Sequence, residues 1–167
     1  MKARDAVSPV ERKVSEPPVG RIGGGVHLLE VLPRLLEAPG RRLGVSDDNG
    51  SWGVITEDSC LEALGRQIAP RYDCSVIEIS CAPSDYSASH IARAVEDSDV
   101  HLVDMLTNPG EGGRLNVTLR VRCEDPLATV HSLERYGYEV TDVFAHDGVV
   151  TTAAVERLLG LQALINV

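Results

Sequence analysis

The most constraining feature of the sequence is a strict alternation of polar and apolar residues from Arg114 to Arg122. Successive side chains of a β-strand point to opposite faces, so this alternation predicts a strand with one buried face. The segment from Ser75 to Cys81 alternates in the same way and predicts a second strand. The residues expected on the two buried faces are Leu115, Val117, Leu119 and Val121 in the first strand, and Ile77, Ile79 and Cys81 in the second.

Two segments beside these strands have the apolar spacing of amphipathic helices. The first has Ser87 in the position of a helix cap. The second begins near Pro126 and ends at Gly137, which suits a left-handed helix stop. The residues expected to pack on the sheet are Ala88, Ile91, Ala92 and Val95 in the first helix, and Leu127, Val130 and Leu133 in the second.

A further strand is expected around His101 and Asp104, and a closing strand from Tyr138 to Phe144. The resulting order, β-α-β-β-α-β, is the split βαβ plan, a four-stranded antiparallel sheet with two helices on one face. His101 and Asp104 are three residues apart. In a regular strand this spacing puts them on opposite faces, which argues against a His-Asp dyad.

The first half of the chain predicts a helix, a β-hairpin and a second helix. Pro33 lies inside the first helical pattern, so that helix is either kinked there or starts late. Arg41 to Ser46 and Trp52 to Thr56 have the pattern of two strands joined by the tight turn Asp48-Asn49-Gly50. Glu57 to Leu64 then has a helical pattern. The apolar face of the first helix comprises Leu28, Val31, Leu32, Leu35 and Leu36.

Composition argues against several classes of function. The 16 basic and 25 acidic residues give a net charge of −9, which makes nucleic acid and anionic membranes poor partners. No apolar run approaches the ~18 residues that a membrane span needs, and the N-terminus lacks the pattern of a secretory signal. We therefore expect a soluble cytoplasmic protein.

The cysteines and histidines do not have the spacing of a metal or catalytic site. The sequence contains no C-x-x-C pair, and no two histidines share the short helical spacing of a metal pair. We expect buried thiols, no metal ligand, no cofactor and no catalytic residue. The residues concerned are Cys60, Cys74, Cys81 and Cys123, with His27, His90, His101, His131 and His146.

The first half of the chain resembles a single CBS motif, the regulatory unit named after cystathionine β-synthase. The resemblance lies in Val14 to Pro18, in Leu43 to Gly50, and most specifically in the Gly-x-x-Thr stretch from Gly53 to Thr56. In that family paired motifs form a cleft for adenosine nucleotides or a related adenosyl compound. A second chain would have to supply the missing motif. The resemblance implies ligand contacts at Val45, Gly53, Ile55, Thr56 and Ser59, where Ser59 stands in place of a ribose-binding aspartate.

The second half resembles the ACT domain, a fold that binds small regulatory molecules. The stretches that carry the resemblance are Asp85-Tyr86-Ser87, Ile91 to Glu96, Val117-Thr118-Leu119, Glu134 to Val140 and the tail from Leu161 to Val167. Together the two halves look like CBS-plus-ACT proteins of the acetoin-utilisation type, shortened to one CBS motif. ACT domains often bind an amino acid at the first strand–helix turn, at a dimer interface. The resemblance therefore implies a ligand at Asp85, Tyr86 and Ser87.

These observations predict an α+β protein with a CBS-like α-β-β-α unit followed by a ferredoxin-like, ACT-like domain. The expected boundaries are a flexible lead-in at 1–13, the CBS-like motif at 14–70, the ACT-like domain at 74–146 and a helical tail at 147–167. We expect a non-catalytic sensor that is a homodimer and binds an adenine nucleotide or small metabolite between chains. The alternative is a degenerate module that only dimerises or docks onto a partner. A hydrolase or redox enzyme acting through Cys or His is the third class.

Overall fold

Two β-sheets and four α-helices lie in the described residues of this computed structural model, so the fold class is mixed α+β. The structure describes residues 1–7, 20–46, 52–68 and 73–145. The chain divides into two units, Met1–Pro70 and Arg71–Val167, and each has its own sheet and hydrophobic core. Among the described helices, none is long and apolar enough to cross a membrane. The tail expected at 147–167 lies outside the described residues.

The first unit contains a three-stranded sheet with two helices. Strand β1 pairs parallel with β2, and β2 pairs antiparallel with β3. The predicted hairpin strands are therefore confirmed, while their turn, Asp48 to Gly50, lies outside the described residues. The elements are β1 (Arg21–Gly23), α1 (Leu28–Glu37), β2 (Arg42–Ser46), β3 (Trp52–Thr56) and α2 (Glu57–Gln67).

Helix α1 runs through Pro33 and begins immediately after His27. His27 caps the helix, because its Nδ1 accepts a hydrogen bond from the Leu29 backbone N–H at 3.3 Å. The alternative of a late helix start is therefore wrong. The buried face of α1 consists of Leu28, Val31 and Leu35, whereas Leu36 is exposed although the pattern placed it on the apolar face.

The N-terminal residues are part of the first unit rather than a lead-in outside it. Ala3–Ala6 forms a 3-10 turn whose two alanines are buried in the first core. The backbone of Ala3 donates to Val26 O at 2.8 Å, and that of Leu28 donates to Met1 O at 3.1 Å. The expectation of a flexible lead-in is thus wrong for residues 1–7, because two small side chains spaced by one turn fill the core. Residues 8–13 lie outside the described part of the chain.

The second unit contains a four-stranded antiparallel sheet in the order β5-β6-β4-β7. The predicted order of strands and helices is confirmed. The elements are β4 (Ser75–Cys81), α3 (Ala88–Glu96), β5 (His101–Pro109), β6 (Leu115–Arg122), α4 (Leu127–Arg135) and β7 (Glu139–Phe144).

The core of the second unit lies on the predicted face of β4 and β6. Ile77 pairs with Leu119 and Ile79 with Val117, and all four side chains are fully buried. Helix α3 covers this face with Ile91, Ala94 and Val95. The apolar stripe predicted for α3 is therefore partly wrong. Ala94 is buried, whereas Ala88, which was expected to pack on the sheet, is exposed.

Helix α4 buries a more polar face than its sequence suggested. Leu127, expected in the core, is 41% exposed, whereas Thr129 and Ser132 are fully buried. Their burial is tolerated because the hydroxyls have partners: Thr129 Oγ1 lies 2.9 Å from Ser98 Oγ, and Ser132 Oγ accepts from Arg135 at 3.3 Å. The helix ends at Arg135, and Gly137, two residues further on, has the left-handed φ of 88° predicted for the helix stop.

A register shift in β5 overturns the argument that separated His101 from Asp104. The shift lies between Leu102 and Asp104, so that His101 pairs with Arg122 and Asp104 with Arg120. Residues 120 and 122 of a regular strand share a face, and their partners therefore share it too. His101 and Asp104 lie on one face, but Asp104 is paired with Arg120 through the guanidinium Nε at 2.6 Å.

Among the described glycines of the first unit, Gly53 is the one at which an added Cβ would come closest to another atom. A Cβ at Gly53 would lie 2.4 Å from Val7 Cγ1, which is far inside van der Waals contact. We expect Gly53→Ala to destabilise the first unit by about 1–3 kcal/mol, because the added methyl group overpacks this contact. Urea unfolding followed by far-ultraviolet circular dichroism measures this loss.

The matched control is Gly53→Ala combined with Val7→Ala, which removes the clashing Cγ1. The double variant should recover part of the loss, with a coupling of about 0.5–3 kcal/mol. Strictly additive effects would show that Val7 does not pack on Gly53 in solution.

Candidate functional sites

Two places in the chain, one in each unit, contain the residues that the sequence singled out. The first is the start of α2, where Thr56 is the helix cap. Thr56 Oγ1 accepts from the Ser59 backbone N–H at 3.3 Å, and Ser59 Oγ accepts from the Thr56 N–H at 3.0 Å. The Ser59 hydroxyl also donates to Thr56 O at 3.1 Å. These bonds form a closed capping box, which holds the Ser59 hydroxyl against the backbone of Thr56.

The other residues implied by the CBS resemblance are buried in the first unit. The side chains of Val45 and Ile55 lie in its hydrophobic core. Gly53 is buried under Val7, and Ser59 is only 9% exposed. Thr56, which is half-buried, is the member of the set nearest to solvent.

The charge at the start of α2 disfavours an anionic ligand. Glu57 and Asp58 occupy the first turn, where carboxylates already interact favourably with the positive end of the helix dipole. Glu57 also forms an exposed ion pair with Arg41. A phosphate arriving here would meet two negative side chains, with two of the terminal backbone amides bonded within the capping box.

The second place is the turn between β4 and α3 in the second unit. The Asp85 backbone N–H donates to Ala82 O at 2.9 Å and closes the turn, and Ser84 Oγ donates to Asp85 Oδ1 at 3.1 Å. Ser87 caps α3, because its Oγ accepts from the His90 N–H at 3.4 Å. Asp85 is thereby fixed on an exposed turn.

Two tyrosine side chains connect this turn to the core of the second unit. Tyr86 is half-buried against the second core, and its hydroxyl accepts from Thr107 Oγ1 at 3.3 Å. Tyr138 is buried and is hydrogen-bonded to the backbone of Ser87. Burial raises the pKa of the Tyr138 phenol, with further contributions from Cys81 and Asp85 nearby. The turn is therefore supported by two aromatic side chains, and the raised pKa keeps the Tyr138 phenol protonated at physiological pH.

An arginine lies beside the same turn. Arg114 Nε donates to Ser80 Oγ at 2.8 Å, and Arg114 Nη2 donates to Ser80 O at 3.0 Å and to Glu139 Oε2 at 2.7 Å. Its side chain is 43% exposed, and that of Glu139 is 65% exposed. Among the described residues, the Nη1 group makes no further bond, so the guanidinium has donors to offer a ligand.

Cys81 is the thiol at this end of the sheet, and its environment does not favour a nucleophile. Burial raises its pKa, the Arg114 charge lowers it, and the Asp85 charge raises it, with burial the largest cause. A thiol with a raised pKa remains protonated near neutral pH, and the thiolate is the reactive form. Cys81 therefore lacks the lowered pKa that activates a cysteine nucleophile.

The remaining histidines and cysteines do not gather into a site within the described residues. No group of three or more His, Cys, Asp or Glu side chains there could hold a metal ion. His90 contacts the Tyr136 ring edge-on, and His131 lies 3.5 Å from Glu134. None of these four cysteines forms a disulfide; Cys60 and Cys81 are buried as expected, whereas Cys74 and Cys123 are half-buried. His146 lies outside the described residues.

The structure brings Asp85, Tyr86 and Ser87 together as the sequence indicated, and it adds residues that the sequence reasoning missed. These are Ser80, Thr107, Arg114, Tyr138 and Glu139. The strand register is the sequence feature that could have predicted them. Because β4 and β6 are antiparallel neighbours, the end of β4 lies beside the start of β6.

Comparison with known proteins adds no assignment. No protein-family model matches the chain, and no curated protein matches it at a significant level.

We expect the capping box at Thr56 to contribute to the stability of the first unit. Thr56→Ala should lower the free energy of unfolding by about 1 kcal/mol, because it removes a cap hydrogen bond. The control Thr56→Ser keeps the hydroxyl and should lose much less. Urea unfolding followed by far-ultraviolet circular dichroism measures both, and equal losses for Ala and Ser would contradict the box.

We expect two phenols to titrate late at alkaline pH. The pKa of Tyr136 is raised chiefly by its hydrogen bond to Asp97, and that of Tyr138 chiefly by burial. A raised folded pKa stabilises the native state below the ordinary value of 10.0, and this stabilisation is lost as pH rises through the raised value. Tyrosinate absorbance should show one late step fewer in Tyr138→Phe and in Tyr136→Phe. An unchanged titration in Tyr138→Phe would show that this phenol is not buried in solution.

Proposed function

We propose that the protein is a non-catalytic regulatory protein of the cytoplasm, similar to CBS-plus-ACT proteins, that binds a small metabolite as a homodimer. In this proposal the first unit is CBS-like and the second unit is ACT-like. The metabolite binds at the β4–α3 turn of the second unit. The observation that carries the proposal is that Asp85, Tyr86, Tyr138 and the Arg114–Glu139 pair lie at the same end of one sheet, where the charges of both Asp85 and Arg114 act on Cys81.

The chemistry of these residues favours a ligand with both an amino and a carboxylate group. Arg114 offers guanidinium donors that suit a carboxylate. Asp85 and Glu139 are exposed carboxylates that suit an ammonium group. Tyr86, which packs on the core of this unit, offers an aromatic surface at the same end of the sheet. A free amino acid is the smallest metabolite that uses all of these groups, which agrees with what the ACT resemblance implies.

An adenine nucleotide at Thr56 and Ser59 remains the weaker part of the proposal. The closed capping box, the carboxylates of Glu57 and Asp58 and the burial of Val45 and Ile55 all argue for weak binding at that place. Thr56 still has a hydroxyl proton to donate. A nucleotide would have to bind chiefly through its base and ribose rather than its phosphate.

The experiment is a calorimetric titration of the whole chain with a panel of amino acids and with AMP and ATP. We expect an amino acid to bind, and Arg114→Met to weaken that binding about ten- to a hundredfold, because a hydrogen bond to a charged group contributes about 1.5–3 kcal/mol.

The matched control is Arg122→Met, at the other end of the same strand. Arg122 also forms an exposed ion pair, with Asp73 at 2.6 Å. It should leave ligand binding unchanged. Equal losses in the two variants would point to a general effect of charge, and no binding of any panel member would remove the ligand from the proposal.

The second candidate is a module that dimerises or docks onto a partner and binds no metabolite. It is favoured by the closed capping box at Thr56 and by exposed apolar side chains on both helices of the first unit: Leu29, Leu36, Leu61 and Ile68. A protein that self-associates in solution but binds no panel member would support this candidate over the first.

A further inference from the structure

The arginine of the candidate site lies on the outer face of the second sheet, which is the face turned away from α3 and α4. Those helices pack on the face of β4 that contains Ile77 and Ile79. Side chains alternate along a strand, so Glu78 and Ser80 point to the outer face. Arg114 donates to Ser80 Oγ at 2.8 Å, which holds its guanidinium on this face.

Strand β7 adds two carboxylates to the outer face. Glu139 pairs with Ser80 and Asp142 pairs with Glu78, although Glu139 and Asp142 are three residues apart. The register shift between these pairs absorbs Thr141 and leaves both carboxylates on the same face. The outer face therefore has two successive rows, Ser80 with Glu139 and Glu78 with Asp142.

The second row places like charges directly opposite each other. Such a pair destabilises a sheet, and both Glu78 and Asp142 are half-buried. Within the described part of the chain neither carboxylate forms an ion pair, and Asp142 Oδ1 accepts from the Val143 backbone N–H at 2.9 Å. Arg120, diagonal to Glu78, donates to Asp104 at 2.6 Å. A local cost of this kind is typical of functional sites, and two facing carboxylates suit a cation.

The spacing of the two rows matches the length of a basic side chain. Ser80 and Glu78 are two residues apart in β4, which is about 7 Å along the strand. An extended lysine side chain, with its four-carbon stem, covers about 6 Å from Cα to Nζ. An amino acid held in the first row can therefore place a side-chain cation in the second.

The balance of charge also favours a basic amino acid. Beside the Arg114 guanidinium, which suits the ligand carboxylate, lie the carboxylates of Asp85, Glu139, Glu78 and Asp142. A neutral amino acid carries equal positive and negative charge and leaves the excess of carboxylates uncompensated. A basic amino acid adds a cation, whereas an acidic one adds repulsion.

We propose that the ligand is a basic amino acid whose side-chain cation lies between Glu78 and Asp142 on the outer face. This inference rests on the proposed function and names the class of amino acid that the site selects. Glu78 and Asp142 then determine specificity, because they contact the side chain of the ligand rather than its amino and carboxylate groups. Thr118, which pairs with Glu78 from β6, offers a hydroxyl group beside the same cation.

The first test is calorimetric titration of the whole chain with lysine, norleucine and glutamate. Norleucine has the four-carbon chain of lysine without the ammonium group. We expect lysine to bind about tenfold more tightly than norleucine, and glutamate to bind more weakly than either. A neutral or acidic amino acid that binds as tightly as lysine overturns this inference alone, whereas no binding of any amino acid overturns the proposed function as well.

The second test uses Glu78→Gln and Asp142→Asn, which remove one charge each with little change of shape. Each should weaken lysine binding about five- to tenfold and leave norleucine binding unchanged, because norleucine has no side-chain cation. The matched control Glu96→Gln removes an exposed carboxylate from α3 and should change neither. Native lysine affinity in both variants, or an equal loss in Glu96→Gln, overturns the assignment of the cation to this row.

Thermal unfolding gives a measurement that also checks folding. Without ligand, Glu78→Gln and Asp142→Asn should melt at or above the temperature of the native chain, because each relieves the repulsion in the second row. Saturating lysine should raise the melting temperature of the native chain more than that of either variant. Variants that melt below the native chain without ligand and gain as much from lysine overturn the inference, since the carboxylates are then structural.

Discussion

The antiparallel pairing of β4 with β6 is the constraint on which the second unit depends. Both strands are internal to the sheet, and their helix-facing side chains, such as Ile77 and Leu119, are fully buried. A slip of one residue would turn these side chains to the opposite face, so burial fixes the register. The register in turn pairs Cys81 with Leu115 and holds the start of β6 beside the β4–α3 turn. The geometry around Arg114 is therefore a consequence of core packing on the two internal strands.

The two edge strands of this sheet are irregular where the internal strands are regular. Strand β5 shifts register between Leu102 and Asp104, and β7 shifts opposite Glu78 and Ile79. Strand β5 also ends at Pro109, which lacks a backbone donor. Bulges and proline at an edge hinder pairing with a strand from another chain. Extension of this sheet by a strand from another chain is thus disfavoured.

The sequence predicted the elements well where one physical signal dominates. Alternation located β4 and β6, a polar cap located the start of α3, and Gly137 located the end of α4. The predictions were wrong where a small polar side chain, which can be buried or exposed, lies on the buried face of a helix. Thr129 is buried because Ser98 lies beside its hydroxyl, a long-range contact that periodicity within α4 does not contain.

Local sequence patterns were also insufficient for residues 1–7 and for the candidate site. Ala3 and Ala6 carry too weak an apolar signal to predict a buried turn, since alanine is common on surfaces as well as in cores. Asp85, Tyr86 and Ser87 are neighbours in sequence and were found together. Arg114 and Tyr138 join them only through the strand register and the packing of α4, which no local pattern contains. The parts of the site that depend on tertiary contacts were therefore the parts missed.

The start of α2 shows why a local motif at a helix N-terminus is ambiguous about function. The backbone amides that could bind a phosphate are the same groups that a cap must satisfy, and a hydroxyl residue suits either role. In this chain Thr56 and Ser59 bond to each other's backbone, and Glu57 and Asp58 supply the negative charge that the helix dipole favours. The hydrogen-bonding groups at the start of α2 are satisfied within the chain, so a ligand gains little there by replacing these bonds.

At the β4–α3 turn the helix cap is likewise filled by Ser87, but Asp85, Glu139 and Arg114 project charged groups beyond it. A candidate binding surface therefore differs from a well-capped helix in having polar side chains that are not all used in bonds to the local backbone.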